Sequence, residues 1–229
     1  MKKQDLIFTL FVGLLFVPFF ISGALYQFYQ QFNVEHPFVT GFLKFAILAT
    51  TGEALGLRLR EGVYNKPGFG LLPRAVVWGF LGLTIVMAFQ IFSAGAPVFL
   101  AALGMEEAAA SLGGPMGPLR ILTAFTISVT LNLIYAPVMM TLHKVTDIHI
   151  VNNNGTLTGL LRPIRFGEIF TGLNWNVQYN FVFKKTIPFF WIPAHTITFL
   201  LPSEFRVLFA ALLGIALGVI LAIGISKSK

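Results

Sequence analysis

The chain has 229 residues, of which 56% are hydrophobic and 11% charged, with a net charge of +7 and a mean hydropathy of +0.80. Soluble domains carry roughly a quarter charged residues, and a chain of this size cannot hide so much apolar surface from water. Lipid is therefore the expected solvent for much of the exterior. The absence of cysteine excludes disulfides, thiolate metal sites and thiol catalysis. A basic chain can signal nucleic-acid binding, but here the Lys and Arg residues fall between apolar runs. Topology and anionic headgroups account for them, and no nucleic-acid partner is expected.

A span needs about 20 apolar residues. The first candidate covers 6–34 without a charge. Lys2, Lys3 and Ser22-Gly23-Ala24 also fit a secretory signal, but the apolar stretch continues to Phe32, which favours a retained span. The second covers 37–57 and contains Lys44 and Glu53. The third stays uncharged over 75–105, with Gly95 and Pro97 expected to kink or end it. The fourth is 121–142. The fifth is 186–203, with an earlier start near Trp175 as an alternative, and the sixth is 207–226. Asn152-Asn153-Asn154-Gly155 is a turn signal in the longest polar connection, 146–174, and 160–173 reads as a short interfacial helix. The expected fold is all-α: a polytopic membrane helix bundle of about six transmembrane helices in a single domain, 1–229. Lys and Arg alternate between connections, placing 13 of 16 on one side. Under the positive-inside rule both termini are cytoplasmic. The expected location is a bacterial inner membrane, or an organellar membrane in a eukaryote.

Charges at membrane depth are functional-site candidates by default. Lys44 and Glu53 are nine residues apart and so lie on opposite sides of one helix. Lys44 shares its face with Thr40 and Thr51, and reads either as part of a lined pathway or as a side chain snorkelling to the outer interface. Glu53 faces the Arg60 side, lining a pathway or satisfying a basic neighbour. In the fourth helix Ser128, Asn132 and Tyr135 share a face, suiting a polar cavity or interhelical bonding. The segment 174–181 is the most polar and aromatic start of any helix, carrying Gln178 and Asn180, with Lys184 one turn on. Pro188, Trp191 and His195 share a face, and His195 reads as a proton relay or a satisfied hydrogen-bonding group. Ala210, Gly214, Gly218 and Ala222 recur every fourth residue, and Gly52 and Gly56 repeat the motif. Such stripes admit a close helix neighbour, within the chain or in a homo-oligomer. His143, Asp147 and His149 cluster at the inner end of the fourth helix, where a solvated loop is expected over a metal site. No cofactor, metal or catalytic constellation is expected.

Several residues in order resemble the Mpv17/PMP22 family. Gly52-Glu53 precedes a basic run through Arg60, with Glu53 standing where that family has Asp. Arg74 opens a Gly-rich third helix, and Ala136-Pro137 lies late in the fourth. Trp175, Gln178, Asn180-Phe181 and Pro188 match a signature before the last helix. The resemblance implies a small multi-pass protein of a mitochondrial, peroxisomal or bacterial membrane, of a kind proposed to form channels or metabolite pores.

Three functions compete. A channel or transporter for small solutes requires the polar candidates to converge on one cavity. A non-transporting scaffold or assembly factor requires paired polar groups and no cavity. A lipid-acting enzyme requires two of Glu53, His143 and His195 within hydrogen-bond reach in a lipid-accessible pocket. The first is the expectation; catalysis is not.

Overall fold

A computed structural model describes residues 3–226, with side chains through residue 216. It is all-helical, with no strand among the described residues. Helix α1 (Lys3–Ile21) and α2 (Gly23–Glu35) replace the single expected first span. Ser22 is extended between them, and its Oγ accepts the Leu25 N–H at 3.3 Å. A hydroxyl N-cap with glycine behind it is a better helix start than a helix interior, so the run breaks there. α3 (Pro37–Glu61) stops on Gly62, which takes the left-handed conformation (φ 80°) that glycine adopts without steric cost.

α4 (Leu71–Ala102) continues through Gly95 and Pro97, so it does not end there. Pro97 removes a single bond, the one an N–H would give to the Ser93 carbonyl, and the helix runs five residues beyond it. After a single turn, α5 (Ala108–Ser111), helix α6 (Pro118–Asn152) passes Pro137 and continues well beyond residue 142. The region expected as a solvated loop is therefore helical. It ends at the Asn-rich turn, with Asn154 and Gly155 at φ 57° and 63°. Two short helices, α7 (Leu157–Leu160) and α8 (Phe166–Thr171), stand in place of the one expected over 160–173. Pro163 separates them by disfavouring helix at Arg162.

A short helix, α9 (Trp175–Val177), leads into a π-helix, Gln178–Trp191, followed by α10 (Ile192–Leu200). Pro188 and Pro193 lack N–H groups and would crowd the carbonyl four residues back in an α-helix. The Ile192 N–H instead bonds the Ile187 carbonyl, five back. α11 (Ser203–Ser226) completes the bundle.

Among the described residues, four helices are long and apolar enough to cross a membrane: α1, α3, α4 and α6. α1 has no buried residue at all. Leu14, Phe20, Ile21, Val138 and Phe189 are each more than two-thirds exposed. Apolar exposure on that scale fits a lipid solvent and not water. The core lies where α3, α4, α6, α10 and α11 meet, built on Phe45, Leu48, Phe89, Ile127, Leu131 and Phe199.

The α3–α4 crossing depends on small residues. A Cβ on Gly82 would stand 2.7 Å from the Gly41 carbonyl oxygen and 2.9 Å from Phe45 Cβ. Gly82→Val is expected to force these helices apart and cost about 1–3 kcal/mol, read as a lower thermal midpoint in detergent. Gly95→Ala, with nothing within 4 Å of the added carbon, should leave that midpoint unchanged or raise it.

Candidate functional site

The charged centre is assembled by two loops. Gly70 (φ 73°) ends the α3–α4 connection, and a Cβ there would lie 2.8 Å from Gly155 Cα. This close approach of two glycines ties the start of α4 to the end of α6. Arg74, one turn into α4, is 6% exposed. Its Nε donates to the Phe69 carbonyl at 2.8 Å, and the guanidinium lies 4.4 Å from the Phe69 ring centroid. Nη1 donates to both Glu53 of α3 and Asp147 of α6. Glu53 Oε1 also accepts from Trp78 Nε1 at 2.7 Å and lies 3.0 Å from His143 Nε2. The Trp78 and His143 rings sit 4.3 Å apart. Three helices thus share one network of charge-assisted bonds.

Above this centre a cavity of ≈ 490 Å³ extends along α3, α4, α6, the π-helix, α10 and α11, within the size range of small-molecule sites. Glu53, Arg74 and His143 floor it, and Arg60 and Lys144 also line it. Its walls are chiefly apolar, including Phe45, Ile85, Phe89, Leu131 and Met140. At the far end Asn132, fully buried, donates to the Ser128 carbonyl at 2.8 Å. His195 Nδ1 lies 3.0 Å from Asn132 Nδ2 and 3.2 Å from Oδ1. Tyr135, also in the lining, shares a 2.7 Å hydrogen bond with Thr84 Oγ1. Gln178 lines the cavity, is 6% exposed, and its Nε2 has no hydrogen-bond partner.

The cavity gathers five of the predicted polar residues: Glu53, Asn132, Tyr135, Gln178 and His195. It does not gather the other four. Lys44 is buried outside it, donating to Asn33 Oδ1, which also accepts from Thr40 at 2.9 Å. Its ammonium lies 5.2 Å from the Tyr29 ring centroid. Lys44 therefore neither snorkels nor lines this space; it joins α2 to α3. Thr51 bonds back to the Ile47 carbonyl at 2.7 Å. Asn180 is exposed and bonds Asn176, and Lys184 is exposed. Of the small residues, Gly52 meets α11, where a Cβ would lie 3.0 Å from Ile215 Cα. Gly52, Gly56, Ala210 and Gly214 all line the cavity, and a Cβ on Gly214 would meet nothing within 4 Å. Gly218 and Ala222 lie outside the residues whose side chains are described.

Arg74, Trp78 and Asp147 were missed as site members by sequence reasoning. Arg74 counted there as a basic residue of the second connection and as the opening of the third helix, although a lone Arg at the start of an apolar helix is a signal for a carboxylate partner. Donor atoms of Glu53, His143 and Asp147 lie within 4.8 Å of one another, the spacing of a metal site. Arg74 bonds both carboxylates, so its guanidinium supplies the positive charge a metal ion would bring. His149, which the sequence groups with His143 and Asp147, is buried and contacts the Leu160 carbonyl at 3.3 Å instead.

No protein-family model, curated protein or solved structure matches this chain.

Removing Arg74 would leave two carboxylates facing each other at membrane depth. Arg74→Met is expected to cost about 3 kcal/mol or more, whereas Asp147→Asn should cost about 1 kcal/mol because Glu53 still holds the guanidinium. Detergent melts of both variants test this order.

Proposed function

We propose that this is a six-crossing membrane protein of transporter type, binding small organic solutes in a cavity opened from its inner end. The convergence of Glu53, Asn132, Tyr135, Gln178 and His195 on one cavity carries the reading. A scaffold with paired polar groups alone has no use for a space of that size. The deepest lining residues, such as Phe89 and His195, lie about midway along the bundle. Beyond them Ala96, Leu100, Ala124 and Phe199 are tightly buried. The cavity is thus one-sided, suiting alternating access better than an open pore.

Hydrogen bonds between connections support six crossings. Asn33 reaches the Glu204 carbonyl at 3.3 Å, and Arg120 reaches that of Leu200 at 2.9 Å. Asp5 bonds Arg58 at 2.7 Å, while Arg74 bonds Asp147. The basic connections meet at one end and the less basic ones at the other, as the positive-inside rule requires of inner and outer faces. The Mpv17/PMP22-like order of motifs agrees with a small multi-pass protein of this kind. A lipid-acting enzyme is the second reading, favoured by the 3.0 Å approach of His143 to Glu53. It ranks lower because Glu53 is already occupied by Arg74 and Trp78 and is poorly placed to accept a substrate proton.

The chain has no cysteine, so single-cysteine variants report topology cleanly. An impermeant thiol reagent applied to intact cells should label Glu35→Cys and spare Thr158→Cys; the opposite pattern overturns the orientation. For transport, swelling of proteoliposomes is measured in iso-osmotic glycerol and in potassium methanesulfonate or hexanesulfonate with valinomycin. At least one solute should enter wild-type vesicles several-fold faster than protein-free ones. Gly214→Phe, which fills open space, should return the rate to background. Wild-type rates equal to background for every solute would sink the transport reading.

A further inference from the structure

We propose that the solute is an amphiphilic anion: one anionic head held by Arg60, Lys144 and Gln178, with a single acyl or alkyl chain lying along the apolar wall. The inference rests on the transporter reading and names its substrate class.

The head site follows from the charges. Three cations line the inner end of the cavity, Arg60, Arg74 and Lys144, with two carboxylates, Glu53 and Asp147. Arg74 is consumed by both carboxylates. Arg60 and Lys144 make no ion pair among the described residues, and both are exposed. Between them and the apolar walls stands Gln178, nine-tenths buried, whose Nε2 has no acceptor. A buried amide donor without a partner costs about 1–3 kcal/mol, and a bound carboxylate or phosphate oxygen removes that cost. Two exposed cations and one buried donor suit a small anionic group on the cytoplasmic side.

The tail site follows from the shape. From Lys144 to Asn132 along α6 is about 18 Å at 1.5 Å per residue; Met140, Met139 and Ala136 give this stretch of the lining its apolar surface, while its two polar members, His143 and Tyr135, are already bonded to Glu53 and Thr84. The opposite wall carries Gly56 and Gly214, and a Cβ on Gly214 would meet nothing within 4 Å. Methionines adapt to a flexible chain better than branched residues do. The far end is not wholly apolar: Trp191 Nε1 lacks a partner there, so the chain terminus meets a donor and not a sealed hydrocarbon wall. The width left by two glycines suits one chain, and the π-helix borders it with Phe181 and Val182. A short polar solute would leave most of this surface uncovered.

The test uses the whole protein in maltoside micelles with Trp175→Phe, which leaves Trp78 and Trp191, both in the cavity lining. Bromostearate should quench their fluorescence saturably. Oleate and oleoyl lysophosphatidate should each displace it, and the better of the two assigns the head as carboxylate or phosphate. Inorganic phosphate and acetate should not displace it, and oleyl alcohol should compete at least tenfold less well than oleate. Arg60→Gln with Lys144→Gln should raise the half-saturating concentration about tenfold, and Gly214→Phe should abolish saturable quenching. Quenching that never saturates, survives Gly214→Phe, or yields equally to oleyl alcohol overturns the proposal. Displacement by inorganic phosphate at the concentrations where oleate acts also overturns it. Saturable binding without any flux sinks the transporter reading alone; flux of short solutes without saturable binding sinks this inference alone.

Discussion

One guanidinium ties three helices together at one end of the bundle. Arg74 bonds Glu53 and Asp147 and leans on the Phe69 ring, so α3, α4 and α6 share a single charge. An ionised group at this depth is tolerated only with full satisfaction, since its desolvation exceeds what one contact returns. Here Nε donates to a backbone carbonyl and Nη1 to two carboxylates. Glu53 in turn is held by Trp78 and His143. Each member therefore fixes the rotamer of the next, and the floor of the cavity is preorganised before any ligand arrives. The Gly70–Gly155 contact is part of the same device, because it sets the distance from which Arg74 reaches Asp147.

That internal neutralisation separates two electrostatic roles. Arg74 spends its charge on structure, while Arg60 and Lys144 line the cavity exposed and without an ion pair among the described residues. The small residues divide in a similar way. Gly41 and Gly82 bring α3 and α4 into contact, and Gly52 does so for α3 and α11. Gly214, on the same helix face as Ala210, touches nothing with its missing side chain and so creates volume. A stripe of small residues can thus pack two helices over one turn and part them over the next.

The apolar runs were legible in the sequence because a bilayer imposes length and composition on each crossing. Helical geometry alone put Lys44 and Glu53 on opposite faces, and they meet different partners. Their partners were not legible. Asn33 and Arg74 lie on other helices, and a single sequence carries no record of which faces meet. The extension of α6 past residue 142 was hidden by its polarity: His143, Asp147 and His149 look like a loop until Glu53, Arg74 and the Leu160 carbonyl satisfy them. Pro188 and Pro193 announced a disturbed helix, but the choice of a π-helix over a kink depends on the neighbours against which it packs.

The same π-helix gives the cavity its least regular wall. The floor is fixed by Arg74, and the far end is packed with Phe199, Ala124 and Leu100. At the end of the bundle away from Arg74, α2, α3 and α11 are joined through Asn33, Lys44 and the Glu204 carbonyl. By contrast Tyr179, Phe181 and Phe189 on the π-helix are exposed, and Pro188 within it and Pro193 at the start of α10 interrupt the run of backbone donors. A π-helical turn has one residue more than an α-helical one, so conversion between the two rotates the cavity-facing residues without unfolding the segment. Thr186 and Gln178 ride on this segment, and Gln178 Nε2 is the only nine-tenths-buried amide donor without a partner among the described residues. The unpartnered donor therefore sits on the one cavity wall built from π-helix.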